Sequence, residues 1–144
     1  MMNNQFSAAW AKSNALYARA ASVLGVGYQE MMVLYAMVTM GDLTQKQIAL
    51  NFGMQKQTVH TVVNNLCKKG YLLLETSKDD KREKLIHLTE TGMEYAQKTV
   101  APLIKAEERV FEMIGSEKMQ SMCGTMDLFN LLFEREVNGG LDDE

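Results

Sequence analysis

The 144-residue chain has a single proline, Pro102, and two cysteines, Cys67 and Cys123. So little proline leaves long helices permitted. Two cysteines cannot build a disulfide framework, so a reduced, cytoplasmic setting is expected. Long apolar runs are missing as well. The longest, such as residues 31–38, fall well short of the roughly 20 residues a membrane-crossing helix needs, so no membrane partner is expected. The N-terminus has no basic stretch leading into an apolar one, and no export signal is expected. The usual marks of catalysis are absent too. Gly25-x-Gly27 lacks the third glycine of a phosphate-binding loop, and there is no nucleophile elbow and no Cys-x-x-Cys. His60 and His87 pair with no nucleophile and have no metal-ligand spacing with each other or with a cysteine. Neither enzyme activity, nor a cofactor, nor a metal is expected.

What is present is an ordinary globular balance, 47% apolar and 23% charged residues, with a formal net charge of −3. The charge is unevenly spread. Residues 44–84 hold eight Lys/Arg against four Asp/Glu, a net +4, and the remainder holds seven against fourteen, a net −7. A basic segment on an acidic scaffold suits a nucleic-acid reader.

Local patterns divide the chain into helices and one hairpin. Phe6, Trp10, Leu16, Tyr17 and Leu24 recur at near-helical spacing among alanines over 5–24. A second helix is predicted over 29–40, with Met32, Leu34, Tyr35 and Val38 as its apolar side. Thr44-Gln45-Lys46-Gln47 has the form of a capping box opening a third helix, whose Ile48, Ala49 and Phe52 face inward. Gly53 makes the turn. A fourth helix is predicted over 55–69, with Val59, Val62, Val63 and Leu66 on one face and Gly70 stopping it. Residues 71–76 and 84–88 read as two strands joined by the polar loop SKDDKRE. Thr89 caps a helix expected to reach Ile114, kinked or split at Pro102. In the last helix, 117–137, Met119, Met122, Met126, Phe129 and Phe133 step by three and four residues, a heptad-like seam.

Three helices followed by a hairpin is the order of a winged helix-turn-helix. Ala49, Gly53 and Val59 supply the small residue, the turn and the β-branched lock that two closely packed helices need. The fourth helix then shows an unusual outer surface. With the valines inward, Gln57, Thr61, Asn64 and Lys68 point away at 100° per residue, flanked by Thr58, His60 and Asn65. That face carries no carboxylate. Amides and hydroxyls both donate and accept, which matches the mixed pattern of base edges in the major groove. Gln55 and Lys56 place the helix N-terminus, with its free amides, toward phosphate. Lys78, Lys81 and Arg82 at the hairpin tip suit the DNA backbone or the minor groove.

The stretches LTQKQIALNFGMQKQTVHTVVNNLCKKGYL and DDKREKLIHLTETG resemble the MarR-type (multiple antibiotic resistance regulator) family of bacterial transcription factors, over about residues 6 to 137. Asp80-Lys81-Arg82 matches the family's Asp-x-Arg wing, and Leu88-Thr89-Glu90-Thr91-Gly92 matches its x-L-T-x-x-G helix start. The resemblance implies that Arg82 enters the minor groove while Asp80 orients it. It also implies a homodimer held by the first and last helices. The fold expected is therefore mainly α with a small β-hairpin wing: a winged helix-turn-helix with N- and C-terminal dimerisation helices. The regions are 1–28 for N-terminal dimerisation, 29–92 for DNA binding, and 93–144 for the C-terminal dimerisation helices and tail.

The function expected is a dimeric, sequence-specific DNA-binding repressor acting on a palindromic operator. The seam is assigned to Phe6, Met119, Met122, Met126, Phe129 and Phe133. Related proteins bind small aromatic or lipophilic compounds, so release by such an effector is expected, with Trp10, Tyr17, Met31, Met32, Tyr35 and Met93 as pocket candidates. Core packing competes for most of these methionines. Two alternatives stand beside this reading. One is a protein-docking winged helix. The other is a thiol-based redox sensor through Cys67, whose pKa Lys68 and Lys69 would lower, or through Cys123. Burial is the default expectation for both cysteines.

Overall fold

The computed structural model describes residues 1–76, 78–79 and 81–141. It divides into two compact units, residues 1–103 and residues 104 onward.

In the first unit, helix α1 (Met2–Leu24) buries only Ala21, and Phe6, Trp10, Leu16 and Val23 are exposed. Helix α2 (Tyr28–Met40) is the hub. Met31, Val33, Leu34, Ala36 and Met37 are all buried, so it is covered on more than one side. This corrects the expected apolar stripe: of Met32, Leu34, Tyr35 and Val38, Leu34 alone is fully buried. A helix enclosed on several sides has no single apolar face to read from spacing.

Strand β1 (Leu43–Thr44) runs directly into helix α3 (Gln45–Phe52). The expected capping box is there. The Thr44 hydroxyl accepts from the Gln47 amide at 3.1 Å, and the Gln47 side-chain oxygen accepts from the Thr44 amide at 2.9 Å. Gly53 turns the chain with φ 59, and its N–H returns to the Ala49 carbonyl. Helix α4 (Lys56–Lys68) buries Val59, Val63 and Leu66, and Val62 is half-buried.

Strands β2 (Leu72–Thr76) and β3 (Lys84–Leu88) form the hairpin. The sheet has three antiparallel strands in the order β1-β3-β2. The pairs Leu72↔Leu88 and Leu74↔Ile86 lie on the inner face, where Leu72 and Ile86 are buried. β1 escapes sequence reading because two residues show no period.

Helix α5 (Glu90–Ile114) opens on Thr89, whose hydroxyl accepts from the Gly92 amide at 2.9 Å. Of the kink or split expected at Pro102, the split does not occur: α5 is one continuous helix through it. Proline removes one amide donor and leaves the bonds on either side, and Val100 and Leu103, which flank it, are buried. Packing of this kind overrides a local breaker. In the second unit, helix α6 (Ser116–Asn138) has no buried residue. Met122, Met126, Phe129 and Phe133 lie exposed on it, and Phe129 stacks on Phe133 with ring centroids 5.4 Å apart.

Candidate nucleic-acid interface

The hydrophobic face of α4 is spent on the core, so its remaining face is fixed by geometry. Gln57, His60, Thr61, Asn65 and Lys68 are exposed, with Thr58 and Asn64 half-buried beside them. The helix has no acid in its first turn, and its N-cap, Gln55, makes no side-chain cap bond. The first-turn amides are therefore open to an external acceptor such as phosphate. The Thr61 hydroxyl donates to the Gln57 carbonyl at 3.0 Å, which leaves its oxygen as an outward acceptor.

Beside this face lies a groove of about 390 Å³. Thr44, Gln45 and Lys46 line it from β1 and α3. Lys56, His60 and Asn64 line it from α4, and Leu74, Arg82, Glu83 and Lys84 from the hairpin. Four of these side chains are cationic against one carboxylate, so the groove attracts polyanions. The structure thus gathers Lys56, His60, Asn64 and Arg82 from the expected set. Lys78 and Lys81 are exposed on the wing, while Asn65 and Lys68 lie toward the far end of α4. Asp80 lies outside the described residues. Gln45, Lys46 and Lys84 were not singled out from the sequence. The signal for Lys46 was available, because a residue just inside the α3 cap is brought near the start of α4 by a turn as short as Gly53 makes. Lys84 needed the strand register.

Both ring nitrogens of His60 have partners. Its Nδ1 lies 3.3 Å from Gln45 Oε1 and its Nε2 lies 3.0 Å from Asn64 Nδ2. His87, on the outer face of the sheet, is held more tightly. Nδ1 meets Asp42 Oδ2 at 2.7 Å and Nε2 meets Glu75 Oε2 at 2.8 Å. Two carboxylate acceptors require both ring nitrogens to donate, so the bonded ring is imidazolium. The hydrogen bond to Asp42, aided by Glu75, raises the His87 pKa above the ordinary histidine value and outweighs the lowering by burial. A raised folded-state pKa contributes stability that is fully present below the unfolded value. It is lost as pH rises through the folded value. Thermal melts should therefore show the protein losing stability as pH rises above the ordinary histidine range, with His87→Gln flattening that slope. An unchanged slope in His87→Gln would mean the clasp contributes nothing.

The pocket candidates divide. Met31 is wholly buried, which removes it from any lining role; it is core. Tyr35 packs edge-on against Phe52 with centroids 6.2 Å apart. Tyr17 and Met32 are half-buried, and Trp10 and Met93 are exposed. The thiols also divide. Cys67 is half-buried, as its default reading expected, and burial pushes its thiol up, opposite to the lowering by Lys68 and Lys69 on which the redox alternative relied. Cys123 is exposed in the single chain; the burial expected for it was on the seam between two copies. Among the described residues no single helix is long and apolar enough to cross a membrane.

Comparison with known proteins agrees with this geometry. Residues 24–83 match the MarR family. An uncharacterized HTH-type transcriptional regulator of Bacillus subtilis (strain 168), YwoH, is 26% identical over 105 residues, which is 73% of this chain and 76% of that one. A MarR family regulator from Neisseria meningitidis superposes with a TM-score of 0.86 at 24% identity, covering 96% of this chain and 98% of that one. NadR, solved in complex with 4-hydroxyphenylacetate, superposes with a TM-score of 0.72 at 15% identity, over 90% and 92% of the two chains. The helix-turn-helix and the start of the wing thus match the MarR family in sequence, and nearly the full length has the fold of a MarR family regulator, a winged helix-turn-helix.

Proposed function

We propose that the protein is a homodimeric, sequence-specific DNA-binding repressor in which α4 reads base edges and the hairpin grips the backbone. The observation that carries this reading is the acid-free polar face of α4 beside a cationic groove. Uncharged donors and acceptors discriminate bases, whereas Lys56 and Arg82 neutralise phosphate. A two-fold dimer would present its α4 helices about 34 Å apart and select a palindrome. The exposed apolar row on α6 supports a second copy of the chain as its cover.

The complex of NadR with 4-hydroxyphenylacetate supports release by a small aromatic compound, with Tyr17, Met32, Tyr35, Trp10 and Met93 as the residues to test. The raised thiol of Cys67 counts against a redox trigger there, because the thiolate is the reactive form.

Selection of bound duplexes from a random pool tests the reading directly. A palindromic motif is expected, and its absence at low salt would favour a protein-docking role. Once the motif is known, Thr61→Ala or Gln57→Ala should relax preference at one base pair by about 1–3 kcal/mol. Arg82→Ala should weaken binding to all sequences and reduce the salt slope by about 1 per subunit. Anisotropy titrations over a range of salt measure both. An unchanged slope in Arg82→Ala would remove the wing from the interface.

A further inference from the structure

His60 holds both of its partners in one tautomer. Gln45 Oε1 can only accept, so Nδ1 carries a hydrogen and donates to it across 3.3 Å. In the neutral ring Nε2 is then bare, and it accepts from Asn64 Nδ2 at 3.0 Å. His60 and Asn64 stand four residues apart on α4, one turn along the same face. All three side chains line the basic groove.

We propose that His60 is a positioning residue that decides which face of its amide Asn64 shows to DNA. The base pair read there changes when His60 gains a proton. The inference rests on α4 being the reading helix. With one N–H given to His60, Asn64 is left with Oδ1 and a second N–H. That pair matches the N6–H donor and N7 acceptor of adenine. Protonation puts a hydrogen on Nε2, which can then no longer accept. The Asn64 amide must turn over and accept through Oδ1, so both of its N–H groups face away from His60. Two donors match O6 and N7 of guanine. The Gln45 bond survives in both states, because Nδ1–H is unchanged. Gln45 therefore anchors the ring while Asn64 reorients. The charged groups around this pair are Lys46 from α3, Lys56 from α4, and Arg82, Glu83 and Lys84 from the hairpin.

Two measurements test this. In the free protein at about pH 8, long-range proton–nitrogen spectra should show His60 protonated on Nδ1; an Nε2–H tautomer overturns the proposal. Duplex selection is then run at about pH 8 and about pH 5.5. The wild type should exchange adenine for guanine preference at one base pair per half-site, by roughly tenfold. His60→Ala should select one motif at both values. A wild-type motif identical at both values overturns the inference and leaves the DNA-reading function standing. No enriched motif at either value overturns the function and this inference with it.

Discussion

Gly92→Ala is expected to destabilise the protein by about 3 kcal/mol or more, the upper end of what overpacking costs. Gly92 is buried in the first turns of α5. A Cβ built there would lie 1.8 Å from the Tyr71 carbonyl oxygen, 2.7 Å from its carbonyl carbon and 2.9 Å from its Cα. These atoms are backbone, so no rotamer change relieves the clash. The same Tyr71 carbonyl accepts from the Thr89 amide at 3.0 Å, and the Thr89 hydroxyl donates to the Gly70 carbonyl at 2.7 Å. Moving α5 away would therefore break the joint where α4, the hairpin and α5 meet. Alanine is the better helix former by about 1 kcal/mol, and that gain is too small to offset the clash. Gly124, also within a helix, provides the control. A Cβ there meets nothing within 4 Å, so Gly124→Ala should be neutral or stabilising by up to about 1 kcal/mol. Urea unfolding should show a large loss of stability in Gly92→Ala and none in Gly124→Ala. A Gly92→Ala protein as stable as the wild type would mean that α5 does not pack this closely on Tyr71.

The second large effect is expected from Phe129→Asp on α6. Phe129 is 37% exposed in the single chain and sits in a row with Met122, Met126 and Phe133. Each such side chain contributes about 1.5–3 kcal/mol when fully covered, so a row this long has a strong reason to find a partner surface. A carboxylate in its middle would be stripped of water without a counter-charge, which is costly. Sedimentation at micromolar concentration should show the variant as a monomer with its helical circular dichroism intact, because Phe129 is not part of the core of the chain. Loss of the dimer removes the second half-site contact, and affinity for a palindrome should fall by about 10² or more. Binding to an isolated half-site should be unaffected, since α4 is untouched. A variant that stays dimeric would place the interface elsewhere.

Much of helix α4 is legible in the amino-acid order. Val59, Val63 and Leu66 repeat at helical spacing, and the core takes them as expected. The Thr44–Gln47 box is a contact over three residues, and it forms as read. Arg82 and Lys56 were named, and both line the groove. The failures share a different character. Met31 was a pocket candidate with core packing as its competitor, and the core takes it, because α2 is enclosed by partners that its own spacing does not reveal. Pro102 looked like a breaker and lies within one helix, because neighbouring buried residues hold the turn. The His87 clasp joins Asp42, Glu75 and His87 through strand register and the bend that leads into β1.

Contacts within one or two turns are encoded in residue type and period, so helix α4, its inward valines, its capped neighbour and its polar outer face were all determined by the amino-acid order. Which distant groups meet depends on how elements pack and how strands align, and chain order places no distance on them. The basic groove between α3, α4 and the hairpin, the His60–Gln45–Asn64 contact and the close approach of Gly92 to Tyr71 were decided only when the chain was folded.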